Sequence, residues 1–259
     1  MGKDNLSGII IPTKTRPEFV KRALRYYLKM NCPHKIYIGD GSNISMENSI
    51  EKLVHGSNLK VSYYNWPNLG GLETQFKLAE IAQEEDIKYL AYSGDDDFII
   101  PNSLSKCADF LGKNTDYATA QGRAALIQLN HTGAHGEIDK LGVYWDKKNL
   151  TCETAIDRFK EILQNYFVLE FSVHRTNDFL VGNKMKNIID PHWGEIYRCC
   201  SFAIQGKSKF LDNLYLIRHT HTDIKKFEYM KWITSPNWYK SFHQVSKNLH
   251  IQLNDKSVS

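Results

Sequence analysis

The chain has 259 residues, of which 42% are hydrophobic and 24% are charged, so it can bury a sizeable core. Its net charge of +4 is modest, and no run of lysine and arginine is interleaved with aromatic residues, which argues against nucleic acid as the main partner. No apolar stretch reaches the roughly 20 residues of a membrane span, and the first residues lack a secretory pattern. We therefore expect a cytoplasmic protein with reduced cysteines and at most peripheral membrane contact.

The first part of the chain alternates between strand and helix patterns. Apolar runs predict strands over residues 8–11, 35–38, 59–64 and 89–92. Helical spacing predicts helices that start near Pro17 and cover residues 44–54 and 72–82. Pro101 indicates the first turn of another helix, capped near Asn102 or Ser103. This alternation predicts an α/β fold with a mainly parallel central sheet flanked by helices.

The second part of the chain is less regular. Strands are predicted over residues 117–129, 166–174 and 214–218, and helices over residues 152–164, 178–189 and 195–205, where Gly206 is a stop signal. Residues 130–142 have the composition of a mobile loop, and the tail from Ile224 onward is predicted to be helical. We expect one domain over residues 1–259, with residues 1–112 and 113–259 as its two halves.

Three consecutive aspartates, Asp95, Asp96 and Asp97, follow the strand predicted at residues 89–92. Adjacent carboxylates repel one another, so a folded chain keeps them where they are solvated or where a cation neutralises them. Carboxylate oxygens suit Mg²⁺ or Mn²⁺, which leave positions open for phosphate oxygens. A solvated acidic turn is the alternative, but apolar runs flank this segment on both sides. Because ligands bind at the carboxyl ends of strands in open α/β sheets, we expect a site here, together with the loops at residues 13–16 and 39–42.

Four segments, in this order, resemble the GT-A type glycosyltransferases, especially family 2. They are IIIPTKTRP at residues 9–17, IGDGS at residues 38–42, NLGG at residues 68–71, and GDDD at residues 94–97 with Pro101 downstream. The resemblance covers residues 8–112. It implies a GT-A fold and a metal-dependent transferase, inverting at the sugar, that moves a sugar from a nucleoside diphosphate, with UDP foremost, to a saccharide or lipid-linked acceptor.

The resemblance also implies roles for individual residues. Donor-binding residues would be Pro12, Thr13, Arg16, Asp40 (at the base or ribose), Gln75 and Asp95. The acidic cluster would hold Mn²⁺ or Mg²⁺ against the diphosphate in one of two registers. One register pairs Asp95 with Asp97. The other, favoured by the spacing to Pro101, assigns Asp95 to the ribose and Asp96 to the metal, with Asp97 available as a second ligand.

His221 follows the last predicted strand and is a further candidate for the metal. Strand alternation would send His219 and His221 to opposite faces, so at most one of them would reach the ion. Arg175 and Arg218, at strand ends, are candidates for phosphate contact or ordinary surface charges. Trp66, Trp145 and Trp193 are candidates for stacking on a sugar ring, with core packing as the alternative for each.

Two positions depart from the family pattern. Gln75 stands where many relatives carry arginine, so a positive charge for phosphate would come from elsewhere. The acidic pair expected for the catalytic base is missing, and Glu195 is the best substitute because a carboxylate near a helix start stays ionised. Asp190 and Asp178 are the fallback candidates for the base.

Three other functions compete with a glycosyltransferase. A nucleotidyltransferase would carry a glycine-rich phosphate loop after the first strand, and residues 12–16 contain no glycine. A non-catalytic module would bind a sugar nucleotide or a glycan without turnover. A Ca²⁺ site in a structural protein would bind its ion independently of nucleotide.

Overall fold

The structure is a computed structural model that describes residues 6–144, 148–185, 187–188, 190–221 and 228–258. Trp145, residues 186 and 189 of the helix predicted over residues 178–189, and residues 224–227 of the predicted tail helix lie outside the described residues. Within the described part, no helix is long and apolar enough to cross a bilayer.

The described chain contains one nine-stranded sheet. Its strands are β1 (Ser7–Thr13), β2 (Lys35–Asp40), β3 (Val61–Asn65), β4 (Tyr89–Tyr92), β5 (Phe98–Ile99), β6 (Tyr117–Leu129), β7 (Ile138–Val143), β8 (Val173–Arg175) and β9 (Lys207–Thr220). Their order across the sheet is β3-β2-β1-β4-β8-β6-β9-β5, and β7 pairs with β6 beside this path.

Helices connect these strands and follow them. They are α1 (Pro17–Lys29), α2 (Glu47–Val54), α3 (Gly71–Glu84), α4 (Pro101–Lys113), α5 (Ala155–Gln164), α6 (Thr176–Gly182), α7 (Pro191–Gln205), α8 (Tyr229–Ile233) and α9 (Pro236–Val258). The predicted strands and helices of the first 112 residues are all present.

Helices cover both faces of the sheet because the central strands are apolar on both sides. Ile9 and Ile11 of β1 point to one face and pack in a core with α1, α2 and α4. Ile10 points to the other face and packs in a second core with α3 and helices of the later half. The central strands are therefore held between two apolar layers.

The sheet is mixed, so the expectation of a mainly parallel sheet needs correction. Strands β1, β2, β3 and β4 are parallel, and β6 is parallel to β9. Strand β8, however, runs antiparallel to both β4 and β6, β5 runs antiparallel to β9, and β7 runs antiparallel to β6. Only β6 and β7 are antiparallel neighbours joined by a short connection; the other antiparallel pairs bring together strands that are distant in the chain.

The predicted strand over residues 166–174 is also wrong for most of its length. Only Val173–Arg175 forms a strand, and the preceding residues make a turn in which the Ser172 amide donates to the Leu169 carbonyl at 3.0 Å. The apolar residues Leu169 and Phe171 are buried in this turn. Burial without sheet pairing produced the misleading apolar pattern.

Several boundaries differ for local reasons. Helix α4 is capped at Ile100, so the predicted caps at Asn102 and Ser103 lie inside the helix. Helix α7 starts at Pro191 because the Asp190 carboxylate caps it. The loop predicted over residues 130–142 contains much of β7, whose six residues are all exposed and therefore show no alternating pattern. The helix predicted over residues 178–189 is the shorter α6, which ends at Gly182.

The antiparallel strand β8 has a consequence for the site. Leu90 of β4 is paired with His174 of β8, and Ala91 with Val173. Because the two strands run in opposite directions, the turn that precedes β8 lies beside the residues that follow β4. Residues 169–172 are thereby placed next to the acidic cluster.

Candidate functional site

The site lies at the carboxyl ends of β1, β2 and β4. Thr13 at the end of β1 is in register with Asp40 at the end of β2, and the Ser93 amide after β4 donates to the Ile10 carbonyl at 3.0 Å. Gly41 allows the next loop to approach closely, since a Cβ there would lie 2.7 Å from the Leu69 carbonyl oxygen. Parallel topology thus brings distant polar segments to one edge of the sheet.

These segments surround a cavity of about 580 Å³, a volume typical of sites for small organic ligands. Its lining is rich in charged groups of both signs. The lining residues are Pro12, Thr13, Lys14, Arg16, Leu69, Gly71, Leu72, Gln75, Tyr92, Gly94, Asp95, Asp96, Asp97, Glu170, Phe171, Arg198 and Arg218. We call this cavity the central pocket.

The first part of the acidic cluster is held by Arg16. The Arg16 guanidinium donates to Asp95 Oδ1 at 2.6 Å and to Asp96 Oδ2 at 2.8 Å. The Thr13 hydroxyl donates to the other oxygen of Asp95 at 2.6 Å, and His221 Nε2 lies 2.8 Å from Asp96 Oδ2. Side chains from β1, α1 and the end of β9 therefore converge on two adjacent carboxylates.

The last carboxylate of the cluster, Asp97, faces the end of β9. Its Oδ1 accepts from the His219 amide at 3.0 Å, and its Oδ2 accepts from Arg218 Nε at 3.2 Å. Arg22 on α1 donates to the Asp96 carbonyl at 2.7 Å and so secures the backbone of the cluster. Arginines from three parts of the chain thus offset the repulsion among the aspartates.

The three carboxyl groups differ in their protonation. Burial raises the pKa of Asp95 to about 6, against the hydrogen bond from Thr13 and the charge of Arg16. Burial likewise raises the pKa of Asp97 to about 6, against the charge of Arg218. Burial also acts to raise the pKa of Asp96, but hydrogen bonds from His221 and Arg16 outweigh it and hold that pKa below its usual range.

The geometry favours Asp96 as the carboxylate for a cation. Its side chain is 16% exposed, whereas Asp95 and Asp97 are 4% and 1% exposed. The described residues contain no group of three or more His, Cys, Asp or Glu side chains that could hold a metal. Asp96 and His221 nevertheless offer two ligand atoms 2.8 Å apart, a spacing that fits adjacent ligands of an ion bound at about 2.0–2.2 Å. Such an ion would take its remaining ligands from phosphate oxygens and water.

Gly94 explains why the cluster begins at Asp95. A Cβ at Gly94 would lie 2.8 Å from Asp96 Oδ1 and 3.2 Å from Asp97 Oδ2. An acidic side chain at this position would therefore collide with both carboxylates. These close contacts favour glycine at this position.

His219 and His221 do not point apart as strand alternation predicts. Their ring centroids are 4.3 Å apart, and both rings pack against Phe19. The reason is that β9 ends at Thr220, so His221 lies beyond the alternating backbone. Burial, Arg22 and His221 lower the pKa of His219 to about 4.

Gln75 lines the central pocket and is 4% exposed. Its Oε1 atom has no hydrogen-bond partner among the described residues. A buried polar atom without a partner is unusual in a folded protein and is explained when a ligand supplies the missing group. Lys14 and Arg218, which are positively charged, line the same pocket.

His221 contacts Asp96 but is not among the residues that line the central pocket, and neither are the predicted site residues Asp40 and Glu195. Asp40 is fully buried, and its carboxylate accepts from the Ser42 amide at 2.8 Å, the Ser42 hydroxyl, and the Tyr63 hydroxyl at 2.8 Å. Glu195 on α7 accepts instead from the Tyr166 hydroxyl at 2.8 Å. Their predicted roles in donor binding and in proton transfer stay predictions.

The fallback candidates for the base have other partners. Asp190 caps α7 and also accepts from Trp232 Nε1 at 3.0 Å. Asp178 lies in α6, where burial raises its pKa, and it does not line the central pocket. Neither Asp190 nor Asp178 is therefore among the residues that line the central pocket.

Of the arginines predicted to contact phosphate and the tryptophans predicted to stack on a sugar, some line the central pocket and others have structural contacts. Arg218 lines the central pocket, whereas Arg175 donates to the carbonyls of Leu111, Asn114 and Tyr117 and joins α4 to β6. Trp66 stacks on Tyr64 at 5.3 Å. Trp193 packs against Trp232, Trp238 and Phe242. Neither tryptophan lines the central pocket.

Sequence reasoning missed Glu170 and Arg198 in the pocket wall. Arg198 Nε and Nη2 donate to the two oxygens of Glu170 at 3.0 and 3.1 Å. Glu170 was not predicted as a site residue because the pattern of its segment predicts a strand. Arg198 was not predicted because it lies within an apolar helix. A charged residue inside each apolar run was the available signal, since such residues are rarely buried unless paired.

No protein-family model matches the sequence, and no curated protein matches it. Solved structures do match. TarS of S. aureus superposes with a TM-score of 0.56 at 14% identity, over 93% of this chain and 39% of that chain. TarS 1-349 in complex with UDP gives 0.55 at 15% identity over 95% of this chain, and the complex with UDP-GlcNAc gives 0.57 at 14% identity over 93%.

These likenesses show the fold. The chain is similar to TarS in its α/β fold. In this chain, a mixed sheet lies between helical layers, and a charged pocket lies at the carboxyl ends of its strands. The chain spans 64% and 66% of the chains in the two complexes and 39% of the longer TarS chain.

Proposed function

We propose that this protein is a glycosyltransferase that moves a sugar from a nucleoside diphosphate to a hydroxyl of a saccharide or lipid-linked acceptor. UDP is the proposed nucleotide. The observation that carries the proposal is the central pocket, where Thr13, Arg16, Gln75 and the acidic cluster come together at the edge of the sheet. The TarS fold, which is known in complexes with UDP and UDP-GlcNAc, supports it.

The pocket residues suit the parts of such a donor. Gln75 offers an unpaired carbonyl oxygen to a donor hydroxyl or amide. Asp95, oriented by Thr13 and Arg16, can accept hydrogen bonds from ribose hydroxyls. Lys14 and Arg218 supply positive charge for the diphosphate.

The acidic cluster is proposed to hold Mn²⁺ or Mg²⁺ through Asp96 and His221. When bound there, a divalent ion takes up negative charge on the leaving diphosphate. Arg16 donates to Asp95 and to Asp96 and so keeps the cluster oriented. The stacked rings of Tyr92 and Phe171, 5.3 Å apart, form an apolar wall that excludes water from one side of the pocket.

A thermal-shift screen with UDP-, GDP- and dTDP-sugars, each with and without Mn²⁺, tests the donor site. We expect a UDP-sugar to raise the melting temperature, and Mn²⁺ to increase the effect. Asp96→Asn and His221→Gln should abolish the Mn²⁺ increment because each removes a proposed ligand. Asp212→Asn is the matched control, since Asp212 forms an exposed ion pair with Arg123. Stabilisation by none of the donors would refute the proposal.

A non-catalytic sugar-nucleotide-binding module is the competing function, because the predicted base Glu195 does not line the pocket. The two functions differ in turnover. We expect slow release of UDP from UDP-GlcNAc in the presence of Mn²⁺, with water as the acceptor. Binding of UDP-GlcNAc without any release of UDP would identify a binding module.

A further inference from the structure

A buried ion pair lies in the wall of the central pocket. Glu170, in the turn before β8, is 5% exposed, and Arg198 on α7 is 7% exposed. Arg198 donates to both carboxylate oxygens of Glu170, which is the bidentate geometry that aligns a carboxylate most firmly. Both residues line the pocket, so the pair faces the proposed ligand space.

A charged pair in this position is not explained by stability. Desolvating two charges is costly, and replacing such a pair by apolar residues is often neutral or stabilising. The neighbouring wall already contains the stacked aromatic rings of Tyr92 and Phe171. The Arg218 guanidinium lies 4.2 Å from the centroid of the Phe171 ring. A carboxylate kept at this cost inside a pocket is a candidate for chemistry.

Topology places Glu170 on the side of the pocket that belongs to the second half of the chain. The turn of residues 169–172 lies beside the end of β4 because β8 runs antiparallel to β4. The donor-binding residues Thr13, Arg16 and Gln75 come from the first half of the sheet. Glu170 therefore lies beside the acidic cluster, in the part of the pocket wall that the second half of the chain contributes.

We propose that Glu170 is the general base of the transfer reaction and that Arg198 is its positioning residue. This inference rests on the proposed function. It assigns to Glu170 the role that the sequence predicts for Glu195, whose carboxylate lies outside the pocket lining and is bonded to Tyr166.

The step is balanced as follows. The acceptor oxygen forms a bond to the anomeric carbon of the sugar, and its proton passes to a Glu170 oxygen. The bond between the anomeric carbon and the diphosphate oxygen breaks, and the diphosphate leaves with the electron pair. Arg198 holds the carboxylate in a fixed orientation before the step, because its guanidinium donates two hydrogen bonds to it.

The test measures UDP release from UDP-GlcNAc in the presence of Mn²⁺, with water as the acceptor, together with UDP affinity by calorimetry. We expect Glu170→Gln to lower kcat by about 10²- to 10⁴-fold, the usual contribution of a general base, while the Kd for UDP stays within about threefold. Glu80→Gln, on the exposed face of α3, is the matched control and should keep wild-type kcat.

A second variant guards against misfolding, since Glu170→Gln leaves the buried Arg198 unpaired. The double variant Glu170→Gln/Arg198→Met removes both charges and should fold, bind UDP and show the same loss of kcat. Arg198→Met alone should lower kcat while the Kd for UDP stays within about threefold, and Arg198→Lys should restore kcat toward wild type.

Three results would overturn the assignment. The first is a kcat within tenfold of wild type in Glu170→Gln or in the double variant. The second is a loss of UDP affinity equal to the loss of turnover, which would make the pair part of the donor site or of the scaffold. The third is a loss of turnover in Glu195→Gln that Glu170→Gln does not share. Failure of the wild-type protein to bind any sugar nucleotide would instead refute the proposed function itself.

Discussion

The hydrogen bond from Thr13 to Asp95 offers a direct test of the charge balance at the site. Thr13 is 7% exposed and Asp95 is 4% exposed, and the hydroxyl donates to Asp95 Oδ2 at 2.6 Å. Valine has nearly the same size as threonine, so Thr13→Val removes the donor without opening a cavity. The variant leaves a buried carboxylate oxygen with one hydrogen bond fewer.

The magnitude of this change depends on pH. A hydrogen bond to a charged group contributes about 1.5–3 kcal/mol, and one between neutral groups about 0.5–1.5 kcal/mol. Burial raises the pKa of Asp95 to about 6, so in the folded protein Asp95 is neutral at pH 5 and ionised at pH 8. We therefore expect Thr13→Val to lower the free energy of unfolding by about 2 kcal/mol at pH 8 and by about 1 kcal/mol at pH 5.

The sign of this pH dependence follows from proton linkage. Between the ordinary pKa of 3.8 and the folded value of about 6, the folded protein binds more protons at Asp95 than the unfolded chain does. Ionisation of Asp95 thus lowers stability as the pH rises through this window, by up to about 3 kcal/mol. Thr13→Val should enlarge that loss, because the ionised carboxylate has lost its donor.

Urea denaturation of the metal-free protein at pH 5 and pH 8, followed by circular dichroism, measures both values. Thr13→Ser is the matched control, because it keeps the hydroxyl and should stay close to wild type at both pH values. The reasoning is refuted if Thr13→Val costs the same free energy at pH 5 and pH 8, or if Thr13→Ser is as destabilising as Thr13→Val.

Two further predictions concern the glycine of the acidic segment and a buried histidine. Gly94→Ala should weaken UDP binding at least tenfold by calorimetry, because the alanine Cβ would press on the Asp96 and Asp97 carboxylates. Gly142→Ala is the control and should not weaken binding, because a Cβ there has room. Equal UDP affinities of the two variants would contradict the close contact at Gly94. Burial lowers the pKa of His174 to about 4, so the unfolded chain binds more protons at this residue, and His174 by itself lowers the free energy of unfolding by about 3 kcal/mol from pH 6.5 to pH 4, against the opposite contribution of Asp95. His174→Leu should lack this loss in thermal melts across that range, and an unchanged pH dependence would show that His174 does not cause it.

Local patterns predicted much of the first half of the chain. The strands β1, β2, β3 and β4 each carry a short apolar run, and helices alternate with them. Hydrophobic periodicity and the turn-forming residues between the runs were therefore sufficient to predict these elements. The same reasoning failed over residues 166–174, because an apolar run buried in a turn looks like a strand. It also failed for β7, which is exposed along its whole length and carries no alternating signal.

Only the pocket residues that come from the first half of the chain were predictable from the sequence. Thr13, Arg16 and the acidic cluster follow predicted parallel strands, and parallel strands bring their carboxyl ends to one edge. His221 lies 125 positions from Asp96, and its contact with that residue depends on where β9 ends. The strand alternation that was applied to His219 and His221 could not anticipate that end.

By itself, the sequence determined which chemical groups are available and which of them stand at strand ends: carboxylates in a row, a threonine and an arginine after β1, and a glutamine in place of an arginine. Only the tertiary structure decided that arginines neutralise the aspartates and that Glu170 and Arg198 share the pocket wall. The physical reason is that hydrophobic periodicity reports on local backbone geometry, whereas the direction of β8 depends on how distant segments pack. That direction sets which carboxylates face the pocket.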